Sequence, residues 1–330
     1  MAGSSKTAVL GAVFGNGTLT AIKFVAFFAS GSGAMFSEAI HSLADTANQA
    51  LLFLGIRRSE RPADAMFHYG YGADRYFYSL MSAIGIFVLG CGVTVYHGVH
   101  NLLDPPALEF SWLPPAVLAI SFVVEGSILM MAARVIWKNK GEQSLLAYLR
   151  ETSDPTVAAV LLEDSVACTG VLVAGLGIGL SQLTGNPLFD ALGAISIGLM
   201  LGAVAVWLGL RNRTLLLGPA LPAEVHEEIV DYLRRHPVVM RVRKARSRVV
   251  GAERFRFKAE IDFDGRHLGK RLSKLVEERW AQLDTQQARE TFAADFGEQL
   301  LDELGREVDR IEAELAKRYP KLEYVDLEAD

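Results

Sequence analysis

SEAIHSLADTANQ, Ser37 to Gln49, places a Glu, a His, an Asp, an Asn and a Gln inside one of the most apolar parts of the chain. At about 100° per residue, Glu38, His41, Asp45 and Gln49 follow an i, i+3, i+7, i+11 pattern and share one stripe of a helix. His41 and Asp45, four residues apart, can point at a common atom. A charge deep in hydrocarbon costs several kcal/mol unless it is paired, hydrated or bound to a metal. Reading the stretch as a membrane helix therefore makes its polar stripe a candidate site.

The rest of the chain supports a membrane reading. Of 330 residues, 51% are hydrophobic, and the mean hydropathy is +0.23. The charged 22% crowd the last third and a few short loops. This predicts an α-helical membrane domain over 1–212, followed by a small cytoplasmic α+β domain over 213–330. Apolar runs of crossing length lie at about 8–29, 33–55, 76–102, 112–136, 156–182 and 187–210, giving six transmembrane helices. Basic residues fall at every second loop: Arg57, Arg58, Arg61 and Arg75 in the second, then Arg134, Lys138, Lys140 and Arg150 in the fourth. Arg211 and Arg213 follow the sixth span. The loop around Asp104 to Ser111 is acidic. By the positive-inside rule both termini are cytoplasmic. The N-terminus MAGSSK shows no cleavable signal or transit peptide, so a bacterial inner membrane is expected. A net charge of −5 offers nucleic acid no basic surface. Cys91 and Cys168 both sit in apolar runs, which argues against a disulfide framework.

In the tail, PAEVHEEIVDYLRRHP (Pro222–Pro237) has helical spacing. Val238–Val250 and Glu253–Phe263 alternate as strands joined by a Val-Gly-Ala turn. Thr291–Arg318 is helical again, and KLEYVDLE closes the chain as a strand. Lys270–Gln286 is charged and reads as helical, with no assigned place. The run Arg241, Arg243, Lys244, Arg246, Arg248 reads either as the solvated face of a strand or as a contact for anionic headgroups.

The fifth span, VLLEDSVACTG (Val160–Gly170), supplies a counterpart to the opening stretch. Asp164 lies in mid-span. Cys168, one turn on, falls on nearly the same face and reads as a small apolar filler or a further ligand. Glu163 points about 100° away, a weaker candidate. His, Asp and Asp together suit zinc or a related first-row dication. The alternative is that these groups only hold helices together by hydrogen bonds, which is the reading for Asn16, Asn48, Gln49, Ser37 and Ser42. Glu38 and Glu125 could pair with Lys23 of the first span or carry protons. His97 and His100 read as interfacial anchors. His226, His236 and His267 are tail histidines, either ordinary or part of a metal site. No zinc-protease His-Glu-x-x-His pair, phosphate-cradling loop or Gly-x-Ser-x-Gly elbow is present.

These residues resemble the cation diffusion facilitator family over nearly the whole chain. The matching motifs are SGSGAMFSEAIHSLADTANQ (Ser30–Gln49), the Gly70-Tyr71-Gly72 turn, GIFVLGCGVTVYHGVHNLLDPP (Gly85–Pro106) and VLLEDSVA (Val160–Ala167). The last two are most similar to the zinc transporter 9 branch, whose eukaryotic members are linked to mitochondria. The resemblance implies export of a divalent metal, zinc first, in exchange for protons, by a homodimer working through alternating access. Manganese, iron(II) and cobalt are the alternative substrates. It implies no prosthetic group, and a tail with a ferredoxin-like or metallochaperone-like fold that dimerises. Its transport ligands fall here on His41, Asp45 and Asp164. The family's fourth ligand falls on Val160, so Glu163, Cys168 or a water would complete the shell, or the site has three ligands. Phe67 stands where the family has a loop His. A non-transporting metal sensor or scaffold and a passive channel are the rival readings.

Overall fold

The computed structural model describes residues 2–31, 33–105, 112–152 and 155–330. It divides into two compact units, Met1–Leu217 and Gly218–Asp330. The division falls five residues beyond the expected boundary because the last long helix continues past residue 212 to Leu217.

The first unit is helical. Helices α1 (Ala2–Ser30) and α2 (Gly33–Ser59) pack along each other, joined through Gly31, whose φ of 65° suits a residue without a Cβ. Helix α3 (Asp74–Gly85) passes through a π-helical stretch, Ile86–Val93, into α4 (Thr94–Leu103). Helix α5 (Leu113–Asn139) opens with prolines in its first turn, where no backbone donor is lost. A short helix not anticipated from the sequence, α6 (Leu145–Glu151), starts where the Ser144 hydroxyl accepts from the Ala147 amide at 3.2 Å. Helices α7 (Pro155–Thr184) and α8 (Leu188–Leu217) complete the unit and pack side by side.

Among the described residues, four helical runs are long and apolar enough to cross a membrane by length and composition: Asp74–Leu103, Leu113–Lys138, Ala158–Thr184 and Leu188–Leu217. Six were expected. α1 and α2 are the remainder. α2 has the length, at 27 residues, but its polar stripe together with Arg57 and Arg58 dilutes its apolar character. Residues 106–111 of the expected acidic loop lie outside the described residues.

The interior is built from small and branched side chains of several helices, among them Ala26, Met35, Ile86, Val117, Val171, Ile197 and Leu201. Much of the apolar surface points outward: Val123, Leu176, Leu199, Val206 and Leu210 are all exposed. Lipid is the solvent such a surface fits. α4 and α8 approach closely because glycines face each way. A Cβ on Gly198 would stand 2.7 Å from Val95 Cγ2, and one on Gly98 would stand 2.7 Å from Ile195 Cγ1.

The second unit is α/β. Helix α9 (Ala223–Arg234) leads to strands β1 (Val239–Val242), β2 (Arg246–Gly251) and β3 (Arg254–Phe263). Three helices, α10 (Gly265–Arg271), α11 (Ser273–Trp280) and α12 (Gln286–Arg318), precede β4 (Leu322–Ala329). The unplaced charged stretch is thus mostly helical. The strand expected over 238–250 is interrupted, and β1 and β2 both pair antiparallel with β3. β4 pairs with β3 in parallel. The turn after β2 sits one residue later than expected, with Glu253 at φ 59°.

Strand alternation sorts this sheet cleanly. Phe255, Phe257, Ala259 and Ile261 are buried, as are Ile229 and Leu233 of α9 and Ile311 and Leu315 of α12. On the other face Arg254 meets Glu323, Arg256 meets Asp326 at 2.8 Å and Lys258 meets Glu328 at 2.5 Å. The basic run is split by the same pattern. Arg243 pairs with Asp262 and Asp330, Lys244 with Glu260, while Arg241, Arg246 and Arg248 are exposed.

Candidate metal centre

The stripe on α2 is buried. Glu38 and His41 are fully enclosed, and the Asp45 side chain is 13% exposed. His41 Nε2 stands 3.6 Å from Asp45 Oδ2. That is too long for a hydrogen bond, and near the separation of two ligands that each reach a shared zinc at ~2 Å. Neither ring nitrogen of His41 has a hydrogen-bond partner among the described residues, and neither does Asp164 Oδ2. Such orphaned buried atoms are rare in a folded interior unless something else is meant to meet them.

Asp164 is on α7, which packs against α2, and its charge acts on Asp45. The structure thus brings His41 and Asp45 together and places Asp164 within electrostatic reach. It does not close the three: among the described residues no three His, Cys, Asp or Glu side chains are grouped to hold a metal ion.

The secondary candidates separate. Glu163 accepts from the Asn48 amide, and Asn48 in turn accepts from the Ser82 hydroxyl, so this chain ties α7 to α2 and α3. Glu38 accepts from Lys23 Nζ at 3.0 Å, and the same ammonium donates to Glu125 at 2.7 Å. Cys168 is a buried free thiol, and Val160, half-buried, offers no donor. Sequence reasoning named Lys23 only as a partner. Its signal was available: a lone lysine in an apolar run has to find carboxylates. Gly170 was missed altogether. A Cβ there would lie 3.0 Å from Glu38 Oε1, so the glycine makes room for that carboxylate on α7.

Elsewhere several histidines and a loop acid meet local partners. The Tyr71 hydroxyl, with the Phe67 and Met66 amides, holds the Asp64 carboxyl below its usual range. His68 Nε2 faces its own loop, 3.1 Å from the Ala65 carbonyl. His97 lies 3.3 Å from Asn101 and packs on Phe36, and His100 stacks on Tyr96. In the second unit His226 meets the Ser247 hydroxyl, and burial pushes His236 down.

Comparison with known proteins places this architecture. The family model for the cation efflux transmembrane domain matches residues 9–217. The human "Proton-coupled zinc antiporter SLC30A9, mitochondrial" is 40% identical over 328 residues, 97% of this chain and 58% of that protein. Metal tolerance protein C4 of Arabidopsis thaliana is 36% identical over 338 residues, 98% of this chain and 73% of that protein. The cation-efflux pump FieF of Shewanella oneidensis is 27% identical over 247 residues, 74% of this chain and 78% of that protein. The chain therefore spans under two thirds of the length of the human relative.

These relatives correct the expected membrane. A bacterial inner membrane was inferred from the absence of a transit peptide. The relatives at 36% and 40% identity are eukaryotic, and the human one is mitochondrial by name, so the expectation of a bacterial inner membrane does not stand. The inference failed because a leader can be read only where a protein's start is known, and the human relative extends well beyond the matched region. With a family model matched over most of the chain and a relative at 36% identity covered over 73% of its length, the chain belongs to the cation diffusion facilitator, or cation efflux, family.

Proposed function

We propose that this chain is a secondary transporter that exports Zn²⁺ in exchange for protons by alternating access. The observation that carries the reading is the His41–Asp45 pair, buried at 3.6 Å on a helix packed against the one that bears Asp164, with neither imidazole nitrogen hydrogen-bonded among the described residues. Zinc accepts imidazole and carboxylate alike, and a mixed, incomplete shell releases its ion more readily than four thiolates. The printed names of the human and plant relatives support a proton-coupled metal substrate.

In this account His41, Asp45 and Asp164 converge on the ion as α2 and α7 move. Cys168 or a water fills the position that Val160 leaves empty. Glu163 stays with Asn48 and Glu38 with Lys23. Ligation needs neutral imidazole and ionised carboxylates, so loading the metal expels protons and reprotonation favours release. All six long helical runs cross the membrane, α1 and α2 included, which puts both termini on one side. The helical first unit is the transport domain, and the tail serves as a dimerising, ferredoxin-like module of a homodimer.

The test is metal uptake into liposomes holding the purified chain, with and without an imposed pH gradient. Zinc uptake that grows with the gradient supports antiport. Gradient-insensitive uptake would make it a channel, and no uptake by folded protein would make it a sensor or scaffold.

A further inference from the structure

The open face of the sheet in the second unit carries its charges in rows. Cross-strand pairing puts Arg246 of β2 opposite Lys258 of β3, and Arg248 opposite Arg256. Like charges directly opposite each other weaken a sheet. The β3 members are neutralised from the far side, where Lys258 donates to Glu328 at 2.5 Å and Arg256 to Asp326 at 2.8 Å. Arg241 of β1 stands opposite Asp262, but Arg243 holds that carboxylate at 3.0 Å. Glu260, the other acid on this stretch of β3, is held by Lys244 at 2.9 Å. Arg241, Arg246 and Arg248 are left exposed, with no ion pair among the described residues.

Chain connectivity alone brings this row to a membrane surface. Helix α8 has 30 residues, a length of about 45 Å, which matches a hydrocarbon core with its headgroup layers at about 40–45 Å. It ends at Leu217, and the residues that follow run along the outer edge of β2. The Val249 amide donates to the Pro219 carbonyl at 2.8 Å, and the Leu221 amide donates to the Ser247 hydroxyl at 3.1 Å. A Cβ on Gly218, whose φ is 71°, would stand 2.8 Å from Arg248 Cγ. Arg248 therefore lies against the first residue beyond the helix.

We propose that Arg241, Arg246 and Arg248 bind the phosphates of anionic lipid headgroups in the bilayer that α8 crosses. A guanidinium offers phosphate two parallel donors. The headgroups supply the negative charge that this row lacks, and so relieve the two like-charge pairs across β2 and β3. Basic side chains close to an anionic leaflet are attracted to it, and the attraction fades within a Debye length. Proximity to the end of α8 keeps Arg248 inside that range. The binding needs neither zinc nor a proton gradient, so it stands or falls apart from the transport reading.

The experiment puts a fluorophore beside the row, at M240C in a full-length C91A/C168A chain, since Met240 is 71% exposed and precedes Arg241. The chain is reconstituted in phosphatidylcholine bilayers. Quenching is compared between phosphatidylglycerol and phosphatidylcholine, each spin-labelled near the top of an acyl chain. Phosphatidylglycerol is expected to quench about threefold or more as strongly. R241Q/R246Q/R248Q should bring the two lipids level, and so should sodium chloride at about 0.5 M. Equal quenching by both lipids, or none by either, overturns the proposal. So does a preference that survives the triple substitution or the salt. Inorganic phosphate that abolishes the preference where sodium chloride of equal ionic strength does not would assign the row to free phosphate, and overturns the lipid partner. Should the triple variant fail to fold, the salt and phosphate arms decide with the arginines in place.

Discussion

Glu307 in the second unit and Glu125 in the first are both buried carboxylates facing basic side chains, and the chain treats them in opposite ways. Glu307, 2% exposed, uses both oxygens. Arg271 donates to one at 2.7 Å, and Arg310 donates to the other at 2.5 Å. Burial raises its carboxyl, but the Arg271 hydrogen bonds and the charges of Arg271 and Arg310 outweigh that and hold it below its ordinary value. Glu125 shares a single ammonium with Glu38, and its second oxygen has no hydrogen-bond partner among the described residues. The difference separates a network whose oxygens are all used from one that leaves an oxygen over. Polar groups that exist to hold a fold are satisfied, and those that exchange ions must keep capacity in reserve.

The comparison breaks most plainly if the reserve is dispensable. Asp45→Ala and Asp164→Ala are each expected to cut zinc flux by ~100-fold or more, since even outer partners of metal ligands cost 10–100-fold. The folded chain should survive, as judged by gel filtration. Full flux in both variants would remove the assignment. On the structural side, Glu307→Ala removes the carboxylate shared by Arg271 and Arg310, leaving Arg271 with Glu303 alone, and should lower the stability of the second unit by ~1–2 kcal/mol in denaturant unfolding. Zinc uptake by the folded fraction should be unchanged.

A comparable effect comes from packing alone. Gly198→Val forces a side chain into Val95 and should cost ~1–3 kcal/mol. Gly126→Ala, with open space around it, should be neutral or nearly so in the same melting assay. The pH dependence sharpens the contrast further. A carboxyl depressed on folding contributes stability above its unfolded pKa and loses it as pH falls through the folded value. The stability gap between wild type and Glu307→Gln should therefore be full above about pH 4.3 and vanish in stronger acid. The smallest effect belongs to Cys168→Ser, which should leave zinc flux within about twofold if the thiol mainly fills space.

Much of this arrangement is legible in the residues themselves. The i, i+3, i+7 stripe put His41 and Asp45 on one face, because a helix leaves no choice about that spacing. The alternation of Phe255, Phe257, Ala259 and Ile261 fixed the buried side of β3 for the same kind of reason. Periodicity cannot tell whether Asp164 reaches the α2 pair, because that depends on how two helices slide and rotate. Nor could it show that Glu163 answers Asn48, a contact between α7 and α2. The interruption between β1 and β2 was hidden by a run of residues that all suit a strand. α2 is the instructive case for the membrane reading. The polar stripe that makes it interesting also lowers its apolar average, so composition supports four crossings among the described residues where six were expected.

The central claim is tested most directly by zinc uptake into liposomes holding the purified chain, with an internal metal-sensing dye and an imposed pH gradient. Wild type should take up zinc faster as the gradient steepens, and Asp45→Ala should show no uptake above protein-free liposomes. Zinc uptake indifferent to the gradient, or equal in Asp45→Ala and wild type, would contradict the account.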